Sequence, residues 1–251
     1  MATLTTIILT RNEEENIREC IASVSFADEI LVVDDMSTDE TPVIAEAVGA
    51  RLIQRPMNGD FGGQRNFAIT EAKGDWILFL DADERISPEL ATEIQAVMKK
   101  EPAAYKLERH SVFHNNKATH GVLRPDTVLR LMPKDGAKVD GYVHEAFISS
   151  YPEKQLKGPL YHYTYDNWHQ YFNKFNSYTS LSAEKYHDKG KKCSFVKDIM
   201  LRPIWAFIKM YIISGGFLDG KMGYILSVNH YFYTMTKYVK LYYLNKDKGK
   251  L

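Results

Sequence analysis

Asp75-Trp76-Ile77-Leu78-Phe79-Leu80-Asp81-Ala82-Asp83 is the stretch on which the fold turns. Its unbroken apolar run is too short for an ordinary helix and reads as a strand buried on both faces. It ends in two carboxylates separated by one residue. The same pattern recurs on either side of it. Residues 4–9 form a buried strand closed by Thr10-Arg11-Asn12, with a helix over about 14–24. Residues 29–33 form a second strand closed by Asp34-Asp35, with a helix over 42–48. A short strand at 51–54 precedes an amphipathic helix at 63–72. After Asp83, Ser87-Pro88 supplies an N-cap and a first-turn proline for a helix reaching about residue 100. Strands alternating with helices predict an α/β fold with right-handed crossovers and a mainly parallel sheet flanked by helices. Ligands in such sheets bind beyond the carboxyl ends of the strands, where Thr10-Arg11-Asn12, Asp34-Asp35 and Asp81-Ala82-Asp83 all fall.

The pattern changes along the chain. From Tyr105 to Phe147 the strands shorten, with turns at Lys134-Asp135-Gly136 and Asp140-Gly141; helices follow, clearest over 168–187 and 199–213. On the second of these, Ile204, Trp205, Ile208, Tyr211 and Ile212 share a face, with Arg202 and Lys209 off its centre. Tyr231, Met235, Tyr238 and Tyr242 repeat the stripe. Packing within the protein is expected to take up much of both stripes, leaving part to face lipid. Charge divides in the same place. Residues 1–150 hold 16 Lys and Arg against 25 Asp and Glu, a net −9, whereas residues 151–251 hold 16 against 7, a net +9, and 14 of the 16 tyrosines. This predicts an acidic domain over 1–150 and a basic, aromatic, helical extension over 151–251. It excludes a uniformly basic nucleic-acid binder and points the second half at something anionic.

Two cysteines, Cys20 and Cys193, cannot make a disulfide framework or a Cys-rich metal site, which suits a reducing compartment. Residues 1–6 carry no basic leader of the secretory kind. A spanning helix needs about 20 predominantly apolar residues, and Lys197, Arg202, Lys209, Asp219 and Lys221 interrupt every C-terminal candidate. The expectation is a protein that can sit on a membrane but does not cross one.

An Asp-x-Asp at a strand end offers hard oxygen ligands. Side chains at i and i+2 of a strand point the same way, so Asp81 and Asp83 could converge on a divalent cation, Mg²⁺ or Mn²⁺, together with substrate phosphate. Solvated or helix-capping aspartates are the competing reading. Asp34-Asp35, followed by Ser37, Thr38 and Asp39, either joins the site or caps the next helix. Gly59, Gly62 and Gly63 either present backbone N–H groups to phosphate or make a plain turn. The dinucleotide and P-loop glycine fingerprints are absent, and His144-Glu145 lacks the second histidine of a zinc protease, Ile148 standing there.

Four blocks in order, Ile8-Leu9-Thr10-Arg11-Asn12-Glu13-Glu14, Val32-Val33-Asp34-Asp35-Met36-Ser37-Thr38-Asp39, Gly63-Gln64-Arg65-Asn66 and Leu78-Phe79-Leu80-Asp81-Ala82-Asp83-Glu84, closely resemble family-2 glycosyltransferases of GT-A type, with a Rossmann-like sheet. The resemblance covers about the first hundred residues. It implies a nucleotide-sugar donor, a UDP-sugar for preference, with Thr10, Asn12, Glu14 and Asp34 in the nucleoside-binding set and Arg65 nearby. Arg11, Asp81 and Ala82 belong with the same substrate-binding residues. By matching position Asp83 resembles the direct metal ligand and Asp81 a ribose or metal-water contact; His144 or His162 completes the metal sphere or serves as a structural hydrogen-bonding group. Gly141-Tyr142-Val143-His144-Glu145, Leu160-Tyr161-His162-Tyr163, Arg202-Pro203 and Gly215-Gly216-Phe217-Leu218-Asp219-Gly220 resemble the branch that modifies lipopolysaccharide cores, whose best-known activity is glucosyl transfer to a heptose. That implies a lipid-linked glycan acceptor, reached at the inner face of a bacterial cytoplasmic membrane by peripheral contact with anionic lipid.

The chain departs from the commoner family pattern in having neither a Glu-Asp pair nor the Gln-x-x-Arg-Trp of processive enzymes. A single-addition, inverting transfer is implied, with Glu145 as the replacement base and Asp140 in reserve. Two rivals remain at this stage: a phosphatase or phosphotransferase with an aspartyl nucleophile, and an inactive membrane-associated nucleotide-binding scaffold.

Overall fold

The apolar runs of the first eighty residues become β1 (Leu4–Thr10), β2 (Glu29–Asp34), β3 (Arg51–Gln54) and β4 (Trp76–Asp81) in a computed structural model that describes residues 2–113, 116–117, 119–141, 146–165 and 167–246. These four strands are parallel, in the order β3-β2-β1-β4. The register sets Thr10 beside Asp34 and Leu9 beside Asp81, so the polar strand ends share one edge of the sheet. α1 (Ile17–Ser23), α2 (Thr41–Ala47) and α3 (Phe61–Glu71) connect them.

Alternation along the strands builds two cores. Leu4, Ile8, Leu78 and Leu80 face Ile17, Cys20 and Ile21 of α1 on one side of the sheet; Ile7, Ile77 and Phe79 face Ala68 and Ile69 of α3 on the other. Burial on both faces is why these strands read as continuous apolar runs. Each fully buried Leu or Ile contributes roughly 1.5–3 kcal/mol relative to exposure.

The sheet then grows by antiparallel additions. β5 (Glu84–Ile86) follows the Asp81 turn, and α4 (Pro88–Val97) begins at Ser87, whose hydroxyl accepts from the Leu90 N–H at 3.1 Å, as the Ser-Pro signal predicts. β6 (Ala104–Phe113), β7 (Asn116–Lys117), β8 (Asp126–Pro133), β9 (Ala137–Asp140), β10 (Ala146–Ser149) and β11 (Glu153–Tyr165) come next. β8 pairs antiparallel with β4 and with β6, β11 with β5, and β9 with β10 as a separate ribbon. The strand over Glu153–Tyr165 corrects the sequence reading, which had a helical region begin after residue 150. The result is an α/β fold whose parallel, helix-flanked half carries the polar strand ends, followed by C-terminal helices.

The chain divides into two compact units, one of Met1–Arg109 with Asp126–His162 and one of His110–Pro125 with Tyr163–Leu251. The second is built on α5 (Trp168–Asp188), α6 (Arg202–Ile208), flanked by wide π-helical turns at Phe195–Leu201 and Lys209–Ile213, and α7 (Gly220–Lys246). Ala183, Ile199, Tyr238, Leu241 and Leu244 form one core, and Phe113, Tyr171 and Leu226 another. A Cβ on Gly223 would lie 1.8 Å from the Gly216 carbonyl oxygen, so α7 approaches the turn before it as only glycine allows. Among the described residues no helix is long and apolar enough to cross a membrane.

Candidate active site

The loops after β1 and β2 are laced together by their own polar residues. Asn12 takes a left-handed conformation, φ 54°, which asparagine tolerates. Its N–H donates to Ser37 Oγ at 2.8 Å, and its side-chain oxygen accepts from the Thr38 N–H at 2.9 Å. The Glu14 N–H donates to Asp39, and a Glu14 carboxylate oxygen accepts from the Glu40 N–H at 3.0 Å. Asp34 is buried, accepting from the Ser37 N–H at 2.8 Å, the Ser37 hydroxyl, and Gln54 at 3.2 Å. Arg11 bridges to Asp35 at 2.9 Å, and Asp35 also accepts from the Met57 N–H. Asp34 and Asp35 therefore join the β1, β2 and β3 ends. The helix-cap alternative fails for both, since the N-cap of α2 is Glu40 and makes no side-chain cap bond. Thr10 Oγ1 is buried with no hydrogen-bond partner among the described residues.

At the end of β4 charges of both signs meet. Asp81 accepts from Arg65 at 3.2 Å and from Arg130 at 2.5 Å. Arg130 also reaches Glu84 at 3.0 Å, and a second Glu84 oxygen accepts from the Asp81 N–H at 3.0 Å. Arg109 extends the network with a bidentate pair to Asp126, 2.8 and 3.0 Å, and a longer contact of 3.4 Å to Glu84. Glu84 is wholly buried and Arg130 nearly so. Burial works against ionising Asp81, but the Arg130 and Arg65 guanidiniums outweigh it and hold its carboxyl well below the usual range. Glu84 is pushed up, by burial first and then by the Asp81 charge, against the pull of Arg130. Arg65 and Arg130 both lie over the Phe147 ring, at 5.1 and 5.8 Å to its centroid, within reach of a cation–π contact.

The expected alternation of Asp81 and Asp83 along a strand is not what forms. β4 stops at Asp81, Asp83 lies in the turn before β5, and the two carboxylates take different partners. Asp83 Oδ2 sits 3.2 Å from His162 Nε2, brought there by the β5–β11 pairing, which sets His162 opposite Glu84. Among the described residues no three His, Cys, Asp or Glu side chains gather as a ready-made metal cage. Cys20, beneath the motif with its thiol against the Asp81 carbonyl at 3.5 Å, is pushed up by burial and stays protonated. Ala82 is buried and offers the site backbone only.

The glycine-rich loop has a positional role. Asp60 caps α3, accepting from the Gly63 N–H at 2.8 Å, and a Cβ on Gly62 would lie 2.0 Å from the Gly141 carbonyl oxygen. Asn66 clasps the Val139 backbone through both its groups, at 2.7 and 3.0 Å. The first turns of α3 thus hold the end of β9, where Asp140 is exposed at the strand terminus. His144 and Glu145 lie outside the described residues.

Of the residues expected at the site, Thr10, Arg11, Asn12, Glu14, Asp34, Arg65, Asp81, Asp83 and His162 lie at the carboxyl ends of β1, β2 and β4 or bond to residues that do. Sequence reasoning missed Glu84, Arg109, Asp126 and Arg130. One signal was available: Arg130 interrupts Val128-Leu129-Arg130-Leu131-Met132, and a lone cation inside a buried strand needs a carboxylate partner.

A sequence profile of Glycosyl transferase family 2 matches residues 5–156. The chain belongs to this family. An uncharacterized glycosyltransferase of Rickettsia bellii (strain RML369-C) is 32% identical over 254 residues, covering 95% of this chain and 85% of the relative. The lipopolysaccharide core biosynthesis glycosyltransferase LpsC of Rhizobium meliloti (strain 1021) is 28% identical over 261 residues, covering 98% of this chain and 94% of its own. Among solved structures, glucosyl-3-phosphoglycerate synthase from Mycobacterium tuberculosis, in complex with Mn²⁺, uridine diphosphate and phosphoglyceric acid, aligns at 20% identity with a TM-score of 0.41 over 53% of this chain and 56% of that one. The glycosyltransferase thus spans about half the length of that solved enzyme. The Asp81–Arg130 cluster and the laced loops all lie within the matched segment.

Proposed function

We propose that this glycosyltransferase is a non-processive, inverting enzyme that moves a hexose, glucose first among the candidates, from a UDP-sugar to a lipopolysaccharide-core or other lipid-linked glycan. The observation that carries the reading is the gathering of Thr10, Asp34, Asp81 and Asp83 at one edge of the parallel strands, with a buried threonine hydroxyl left for a ligand. The full-length similarity to LpsC supports the acceptor class. In this reading Thr10, Arg11, Asn12, Glu14 and Asp34 hold the nucleoside, and Arg65 stands beside the diphosphate.

A divalent cation, Mg²⁺ or Mn²⁺, fits the donor set. Asp83 and His162 present a carboxylate and an imidazole 3.2 Å apart, a pair that suits Mn²⁺, with Mg²⁺ relying on the carboxylate alone, the remaining ligands coming from phosphate oxygens. In this reading Asp81, held by two arginines, makes an outer contact to ribose or metal-bound water. The cation, when bound, stabilises negative charge on the departing diphosphate. Arg65 adds fixed positive charge on the same side. Glu145 takes the proton from the acceptor hydroxyl as it attacks the anomeric carbon from the face opposite the diphosphate, with Asp140 as the reserve base. Such a single displacement inverts the anomeric centre, through a transition state of oxocarbenium character. The proposed place of action is the inner face of the bacterial cytoplasmic membrane, with peripheral contact to anionic lipid.

The test is a panel of nucleotide-sugars scored by nucleoside diphosphate release, with and without Mn²⁺ or Mg²⁺ and with delipidated core oligosaccharide as acceptor. Release from one UDP-hexose that needs both cation and oligosaccharide is expected. Release from no donor would favour the inactive scaffold, and phosphate release from simple phosphoesters dependent on Asp81 would favour the aspartyl-nucleophile enzyme.

A further inference from the structure

The helical stretch from Phe195 to Ile213 is amphipathic the wrong way round for a soluble protein. Its inward side is made by Asp198, Ile199 and Pro203, which are buried, while Val196, Met200, Leu201, Ile204, Trp205 and Ile212 are exposed, Trp205 at 58% and Ile212 at 58%. Spacings of four between Val196, Met200 and Ile204, carried on by Ile212, keep these residues on one side of the helix. Beyond Ile213, Phe217 and Leu218 add exposed apolar surface, and Tyr211 meets both Phe217 and Tyr224 edge to face, which ties this turn to the start of α7. Scattered exposed aliphatics need no explanation, but a contiguous apolar face marks a surface for binding. The stripe on α7 behaves differently, with Tyr238 buried and Met235 and Tyr242 packed against the core.

Charge decides the partner. Residues 189–246 hold ten Lys and Arg and two acidic residues, Asp198 and Asp219. Both carboxylates are turned inward. Asp198 pairs with Arg202 at 2.5 Å and accepts from the Ser194 N–H; Asp219 accepts from the backbone N–H groups of Thr119 and His120 and from the Thr119 hydroxyl. The surface is therefore apolar and cationic, with its anions sequestered. A second copy meeting this face through a two-fold axis would set like charge against like, which disfavours a dimer. An anionic bilayer offers acyl chains to the apolar side chains and headgroup phosphates to Lys197, Lys209 and Lys221. Trp205 and Tyr224 are of the type that settles at the headgroup level.

We propose that the outward face of Val196, Met200, Leu201, Ile204, Trp205 and Ile212, framed by Lys197 and Lys209, is a docking surface for an anionic lipid bilayer, with the helix lying in the plane of the interface. The inference deepens the proposed membrane contact by assigning it to named residues, and its test does not depend on the acceptor.

The full-length protein is sedimented with extruded vesicles of phosphatidylcholine, alone or mixed with phosphatidylglycerol, while tryptophan emission is followed. Binding to the mixed vesicles is expected, with a blue shift that disappears in Trp205→Phe. Ile204→Asp with Trp205→Asp should weaken partition at least about tenfold, since each apolar side chain withdrawn from lipid carries more than that. Lys197→Glu with Lys209→Glu should weaken it more than about tenfold on mixed vesicles, and added salt should mimic this. All these positions are exposed, so far-ultraviolet circular dichroism should be unchanged. Nucleoside diphosphate release with a water-soluble acceptor should also be unchanged, which separates this surface from the chemistry. Equal binding by parent and Ile204→Asp/Trp205→Asp overturns the proposal. So does absence of vesicle binding at low salt while sugar transfer proceeds, or a dimer abolished by the same double substitution. Vesicle binding as expected with no transfer from any donor leaves the surface standing and sinks the enzymatic reading instead.

Discussion

Residues Met1–Arg109 with Asp126–His162 pack aliphatic side chains into two cores and gather Asp81, Glu84, Arg65, Arg109 and Arg130 in opposed pairs near the end of β4; the helical stretch from Phe195 to Ile213 puts large apolar side chains outside and turns its one carboxylate, Asp198, inward. The same hydrophobic and electrostatic terms act in both. What differs is the side on which the large apolar residues lie. In the first unit Glu84, Arg65 and Arg130 are taken out of water beside a partly exposed Asp81, which is tolerable because each guanidinium faces a carboxylate. In the second, Asp198 and Asp219 are neutralised locally by Arg202 and by donated N–H groups, so the outward face of Phe195–Ile213 carries cations and hydrocarbon.

The proposed chemistry belongs to the first unit, and the largest effect should come from its proposed base. Glu145→Gln is expected to lower kcat by about 10²- to 10⁴-fold, the usual contribution of general acid–base catalysis, with donor affinity unchanged. Asp83→Ala should instead weaken metal-dependent donor binding, seen by calorimetric titration of UDP with and without Mn²⁺. Parental turnover in Glu145→Gln would shift the role to Asp140, and loss of donor affinity there would mean that Glu145 binds rather than reacts.

Next comes the buried charge network. Removing one partner strands the others, so Arg130→Met should cost about 3–5 kcal/mol in urea unfolding. The pH profile gives an independent check. Asp81 is held below its usual pKa, so its contribution to stability is complete above about pH 4, the unfolded value, and is lost as pH falls through the lower folded value. Asp81→Asn should therefore flatten the acid limb of the stability curve. Glu84, pushed up, acts in the opposite sense: its contribution is complete below the unfolded value and declines as pH rises through the folded one. An unchanged acid limb in Asp81→Asn would mean that the arginines do not govern this carboxylate.

Much of this contrast can be traced to the sequence, though not evenly. Residues 4–9, 29–33 and 75–80 announce themselves because strands buried on both faces must be continuous apolar runs. β11 hides because Glu153-Lys154-Gln155-Leu156-Lys157-Gly158-Pro159 carries exposed charge, a glycine and a proline, which suggest a loop to any reading of periodicity. The stripe at Ile204, Trp205 and Ile212 is visible as a face, yet its outward direction is not, since periodicity says that a face exists and never what covers it. At the site, Thr10, Asp34, Asp81 and Asp83 are found from strand ends. Arg130, Glu84 and Arg109 are found only once β8 and β6 are paired and the sheet shows which charges meet.

A smaller effect should follow from Gly62→Ala. The new methyl would press on the Gly141 carbonyl, which is backbone and cannot swing aside, so α3 or the end of β9 must shift. Overpacking of this kind costs typically about 1–3 kcal/mol. Because the shift falls at the entry to Tyr142–Glu145, kcat should drop by more than the stability loss alone would suggest. A wild-type thermal midpoint would show that the close approach is not maintained in solution.

The least effect is expected at Leu201, and the same substitution at Leu78 sets the scale for it. Leu78 is fully buried between β1 and β8, and Leu78→Ala should cost about 2–5 kcal/mol as its cavity stays partly open. Leu201, 57% exposed, loses little by the same change, within about 0.5 kcal/mol either way. Urea unfolding of the two variants in lipid-free buffer gives both numbers. If Leu201→Ala destabilises as strongly as Leu78→Ala, its face is packed against protein in solution, and the contrast between an inward-facing and an outward-facing apolar surface disappears. If the difference holds, the exposed leucine serves no folding purpose, and its place on the surface has to be explained by what the surface binds.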